Sequence, residues 1–156
     1  MNSRVIIEAI DALFERIAES VRTKNQPNQP ANLERIDLLQ LESLFNKALL
    51  ERALLIVYGK RPIVIYQSPD KANTLVEVPG SDAAIVYKHF PSTNYCCCES
   101  FRCSVVKHKS QALCKHLLAT RLALALNRIQ VIPLPNDTIV DLKRQFISDF
   151  IEKIRK

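Results

Sequence analysis

Five cysteines lie between residues 96 and 114, and the rest of the 156-residue chain has none. Nothing else in the sequence constrains the fold as tightly. A secreted disulfide framework spreads its cysteines to staple distant loops. These crowd beside a histidine, and Glu8, Asp11 and Glu15 interrupt any secretory apolar core in the N-terminal stretch. That combination predicts metal ligation in a reducing compartment. The ligands come in two pairs, Cys96-Cys97-Cys98 and Cys114-Lys115-His116. Along an extended segment side chains alternate, so Cys96 and Cys98 share a face and Cys97 points the other way. Cys114 and His116 fall at a helix start, where backbone N–H groups and the helix dipole favour a thiolate. Three thiolates and one imidazole close a tetrahedron around one Zn²⁺. The competing readings are unligated thiols beside a half-buried His116, or disulfides inside the cluster. Two paired motifs so close together weigh against both.

A catalytic zinc keeps a position open for water. Here Cys96, Cys98, Cys114 and His116 fill all four, which predicts a structural site and no enzyme. Cys97 and Cys103 are expected to be spectators, Glu99 a solvated carboxylate, and His89 and His108 ordinary structural residues. The chain has only two glycines, Gly59 and Gly80. A phosphate-binding loop needs Gly, four residues, then Gly-Lys-Ser or Gly-Lys-Thr. Gly59-Lys60 is followed by Arg61, and Leu54 stands where the first glycine belongs, so no ATPase site is expected. No apolar run approaches the ~20 residues of a membrane span. The net charge of +6 suits nucleic acid or an acidic partner, though a solvated basic face carries the same charge.

Periodicity organises the rest. A helix is predicted over 3–24, with Ile6, Ile10, Leu13, Ile17 and Val21 at three- and four-residue spacing. The Asn/Gln/Pro-rich stretch 25–30 reads as a flexible linker. A second helix is predicted over 32–51, its apolar face built on Leu33, Ile36, Leu44 and Ala48. Short runs at 62–67, 75–78 and 83–90, separated by turn residues, read as an antiparallel meander. A helix over 112–129 and a last one from Asn136 or Asp137 to residue 154 complete the chain. The last stripe is Ile139, Leu142, Phe146, Phe150 and Ile154. The expected class is α+β: N-terminal helices, a small antiparallel meander, a zinc-bound strand–helix unit and a C-terminal helix. Residues 1–31 are expected to form a helix and linker, and 32–156 a single domain.

Cys-x-Cys, fifteen residues, then Cys-x-His is the ligand pattern of the SWIM zinc finger, and the chain resembles that family. Over 95–120 the likeness extends to Tyr95, Phe101, Ser104-Val105, a Lys-rich loop and Leu113-Cys114-Lys115-His116-Leu117-Leu118-Ala119. A looser likeness over 33–150, and the overall length, point to the short SWIM chains of Shu-type complexes. Glu99, where proline is common, and the extra thiols Cys97 and Cys103 depart from the family without touching the ligands. The resemblance implies a nuclear protein of homologous recombination. It implies pairing with a RecA-like ATPase paralogue and help for a recombinase filament on single-stranded DNA. A SWIM module that binds nucleic acid directly is the alternative, with Arg102, Lys107, Lys109, Lys115 and Arg121 on phosphates.

The run Leu117 to Ile129 carries leucines on nearly every side of a helix, too many for one buried stripe. Leu118, Leu122 and Leu124 are therefore expected at a partner interface. Burial by the chain's own first and last helices is the competing expectation.

Overall fold

The computed structural model describes residues 3–27 and 29–155. Helix α1 (Ser3–Lys24) has the predicted bounds. Ile10, Leu13 and Ile17 of its stripe are buried, and Ile6 and Val21 pack against the core at its margin. These residues join the same core as the rest of the chain, so the expected division at residue 31 is not a division of the core. The stretch after α1 is held by hydrogen bonds rather than free. Ala31 N–H donates to Leu126 O at 2.8 Å, Asn127 Nδ2 to Gln29 O at 3.2 Å, and Arg128 Nε to Ala31 O at 2.6 Å.

The helix predicted over 32–51 is two helices, α2 (Arg35–Leu44) and α3 (Lys47–Val57). The break lies at Phe45 and Asn46, where Phe45 is extended and Asn46 caps α3 by accepting from Leu49 N–H at 2.8 Å. The break resets the helical phase. Ile36 and Leu44 are exposed, while Leu41, Phe45, Leu49, Leu50 and Ala53 are buried. Glu34 and Asp37 close a capping box at the start of α2.

Strands β1 (Ile63–Gln67), β2 (Thr74–Pro79) and β3 (Val86–His89) form the expected antiparallel meander. A fourth strand, β4 (Ile129–Pro133), lies parallel to β1, with Ile65 opposite Val131. The sheet order is β3-β2-β1-β4, so the sheet is mixed and the fold class α+β. The predicted helix over 112–129 is shorter: α4 runs Lys115–Ala125. Asn127 turns the chain out of it with φ of 53°, a left-handed exit that asparagine tolerates. Helix α4 is the hub, wrapped by α1 and α3, with Leu117, Leu118, Ala119, Leu122 and Ala123 all buried. Helix α5 (Asn136–Arg155) lies against β1 and β2 and buries Ile139. No helix among the described residues is long and apolar enough to cross a membrane.

Candidate metal centre

The ligand pairs arrive on two local structures. After β3 the chain passes through an extended segment, and there Cys96 and Cys98 turn inward and are buried while Cys97 is half exposed. Cys98 then starts a tight turn: Phe101 N–H donates to Cys98 O at 3.1 Å and to Cys98 Sγ at 3.3 Å. That turn leads into a π-helical segment, Phe101–Lys107, in a stretch read from the sequence only as a spacer. The second pair opens α4. Cys114 is its N-cap, with extended backbone, and His116 is its second residue.

The four ligand atoms of Cys96, Cys98, Cys114 and His116 all lie within 4.8 Å of one another, and all four residues are buried. Cys96 Sγ stands 3.8 Å from His116 Nδ1, so Nδ1 is the imidazole atom turned into the cluster. A tetrahedron with Zn–S of ~2.3 Å and Zn–N of ~2.0 Å has edges of roughly 3.5–3.8 Å. The donor set and its spacing therefore fit one zinc ion. Cys97 and Cys103 stand outside the cluster, and Cys103 Sγ reaches Glu99 Oε1 at 3.1 Å instead.

The thiols constrain one another's protons. Hydrogen bonding to Cys114 and then to Cys96 holds the Cys98 thiol far below its ordinary value. Hydrogen bonding to Cys114 and its other thiol neighbours, with burial, drives Cys96 far above it. At Cys114 the bond to Cys96 works downward, but the bond to Cys98 and burial push it up to about 11. Without a cation these buried groups share protons, since several thiolates so close repel. A divalent ion removes that conflict, which is what the donor chemistry calls for.

The imidazole has a support that the sequence did not disclose. Tyr87 of β3 stacks on His116, with centroids 4.0 Å apart and planes 28° apart. His89, two residues on, is 2 % exposed, and its Nδ1 has no hydrogen-bond partner among the described residues. Burial, then the charge of His116, lowers His89 to about 4, so it stays neutral at pH 7. The alternation of the run Val86-Tyr87-Lys88-His89 was the available signal, because it puts Tyr87 and His89 on one face. Gly80 lets the hairpin close there. A Cβ on it would stand 2.9 Å from Ile85 O and 3.1 Å from the Tyr87 ring.

The basic residues named from the sequence scatter. Arg102 pairs with Glu99, and Arg121 is held by Asp11 and by Asn94 at 2.7 Å. Lys107 and Lys109 are exposed around the end of the π-helical segment, and Lys115 donates to Ser81 Oγ at 2.9 Å. The interface expectation needs correction at two residues. Leu118 and Leu122 are fully buried within the chain, because α1 and α3 cover α4. Leu124 is 46 % exposed.

No family profile matches the chain. It is similar to the mouse protein named zinc finger SWIM domain-containing protein 7, 28% identical over 135 residues, which is 86% of this chain and 82% of the mouse protein. The human protein of that name is 25% identical over 138 residues, covering 88% of this chain and 89% of its own length. No solved structure matches. The likeness and the three-thiol, one-imidazole cluster together support the resemblance to SWIM-type zinc-finger proteins.

Proposed function

We propose that the chain is the zinc-binding subunit of a Shu-type complex that promotes homologous recombination repair in the nucleus. In this reading it assists assembly or stability of a RecA-like recombinase filament on single-stranded DNA, and works through protein contacts rather than catalysis. The observation that carries the proposal is the convergence of Cys96, Cys98, Cys114 and His116 in a chain whose relatives bear the SWIM name. Each chain holds one structural zinc. Zinc, when bound, supplies a cross-link between the extended 95–98 segment and the start of α4, and so contributes folding free energy directly. The chain's own residues do the rest. Tyr87 orients the imidazole, Phe101 N–H fixes the Cys98 sulfur, and the buried face of α4 keeps water from the thiols.

Any ATP-dependent step belongs to a RecA-like ATPase paralogue as partner, because the Gly59-Lys60-Arg61 stretch cannot cradle phosphates in the P-loop manner. Leu124, exposed on the helix that the zinc anchors, is the contact assigned to that partner. The test is twofold. Metal analysis with X-ray absorption is expected to give one zinc per chain with three sulfurs and one nitrogen, and a folded metal-free protein overturns that. Purified with an ATPase-paralogue subunit, the chain is expected to lengthen the lifetime of recombinase on single-stranded DNA. No effect on filament lifetime overturns the recombination role.

A further inference from the structure

A cleft of about 380 Å³, which contains none of the zinc ligands but reaches Lys115 between two of them, opens between the C-terminal half of α3 and the β2–β3 turn. Arg52, Lys60, Arg61 and Lys115 line it together with Leu55 and Ser81, and no carboxylate is among the lining residues. Several other cations among the described residues hold a carboxylate, Arg16, Arg22, Lys88, Arg102 and Arg121 among them. The four in the cleft hold none. Arg52 donates only to Ala48 O of its own helix, at 3.0 Å. Lys115 reaches the Ser81 hydroxyl, and Lys60 makes no hydrogen bond or ion pair among the described residues. Arg61 is fixed against the turn by the carbonyls of Gly80 at 2.5 Å, Ala83 at 2.9 Å and Asp82 at 3.2 Å. The nearby Asp82 carboxylate accepts from Ala84 N–H at 2.9 Å within its own turn.

Four cations brought together without a counter-charge repel one another, and an anion relieves that repulsion. Leu55 adds a second requirement. It is 73 % exposed beside the cations, so the ligand that fits has apolar surface next to its negative charge. A single nucleic-acid strand has both, since its unstacked bases lie beside its phosphodiesters. We infer that this cleft binds the phosphodiester backbone of single-stranded DNA, with Arg52, Lys60 and Lys115 on phosphates and Leu55 against a base. The inference deepens the direct nucleic-acid reading of the chain: of the five cations named from the sequence it keeps Lys115, and it replaces Arg102, Lys107, Lys109 and Arg121 by Arg52 and Lys60 on the α3 side. It does not depend on a recombinase partner.

The full chain, zinc-loaded, is titrated into a labelled thymidine oligomer at several salt concentrations. The double variant Arg52→Ala/Lys60→Ala is expected to bind about tenfold more weakly at low salt, and its log–log salt slope to shrink by about 1.4, two phosphate contacts' worth for a single strand. Arg144→Ala/Arg155→Ala removes the same charge from α5 and is expected to leave both quantities unchanged. Zinc content is read in every sample, so failure of the cleft is distinguishable from failure of the metal centre. Equal loss in the two double variants overturns the inference, as does unchanged binding by the cleft variant. Tripolyphosphate competing as well as the oligomer at equal charge reassigns the cleft to free phosphates. A duplex bound as tightly as the single strand removes the role of Leu55. Either result overturns the proposal as stated.

Discussion

Helices α4 and α5 follow one another in the chain with only β4 between their turns, yet they are held in different ways. Helix α4 is buried on almost every side: its leucines and alanines meet α1 and α3, and its first turn carries two of the four zinc ligands. Helix α5 is longer and sharply amphipathic, but it buries only Ile139 fully. Its other contacts include edge-on aromatic pairs, Phe90 with Phe146 at 5.9 Å and Tyr95 with Phe150 at 5.5 Å, and hydrogen bonds of Asn136 and Lys143 with Asn73. Ile147, Ile151 and Ile154 remain exposed. Amphipathicity announces that a helix has a face to bury. It does not measure how firmly that face is held, and the helix without a clean stripe is the better anchored of the two.

The largest effect expected is at the N-cap of α4. Cys114→Ser supplies a better capping side chain than cysteine, so local helix energetics alone favour the variant. It removes a metal ligand, however, and structural zinc contributes on the order of 10 kcal/mol in small finger peptides. Cys114→Ser is therefore expected to lose zinc and most of its folded yield, read by metal analysis and circular dichroism. Cys97→Ser, whose thiol is half exposed and outside the cluster, is expected to keep both. If Cys97→Ser is the more damaging, the inward and outward assignment of the 96–98 segment is wrong.

A smaller effect separates the two helices directly. Leu118 is fully buried in α4, and its truncation to alanine is expected to cost about 2–5 kcal/mol in denaturant unfolding. Ile151→Ala in α5, at 43 % exposure, is expected to change stability by about 0.5 kcal/mol or less. Equal costs at the two sites would erase the distinction between an anchored and a leaning helix.

Much of this arrangement was legible in the sequence, for reasons that differ by element. The four ligands were readable because period-two alternation and helix-start chemistry are local rules, and both operate at these residues. Helix α1 was readable because its stripe runs unbroken to Lys24. The split at Phe45 and Asn46 was hidden because apolar residues continue on both sides of it, and only the capping role of Asn46 marks it. Strand β4 was hidden because its partner β1 is more than sixty residues away, joined by a parallel crossover through α4. The signal missed there was Asn127, a residue suited to the left-handed exit from a helix. Burial of Leu118 and Leu122 followed from tertiary packing by α1 and α3, which periodicity within α4 does not reveal.

The smallest stability effect is expected at Leu124, and it carries the most functional weight. Leu124 is the exposed apolar side chain of α4, at 46 %, on a helix otherwise enclosed. Glutamate is a good helix former, and position 124 is open to solvent, so Leu124→Glu is expected to shift stability by about 0.5 kcal/mol or less. Zinc content is expected to be unchanged, because the ligands sit at the opposite end of the helix. Co-purification with an ATPase-type partner is expected to be lost, since a carboxylate at an apolar contact must be desolvated without a partner charge. Loss of zinc or of cooperative unfolding in Leu124→Glu would show that position 124 belongs to the core. In that case the helix is purely a core element, and the partner contact lies on another surface. Retained co-purification in a folded variant leads to the same conclusion by a different route, because Leu124 is the one apolar side chain that α4 presents to solvent.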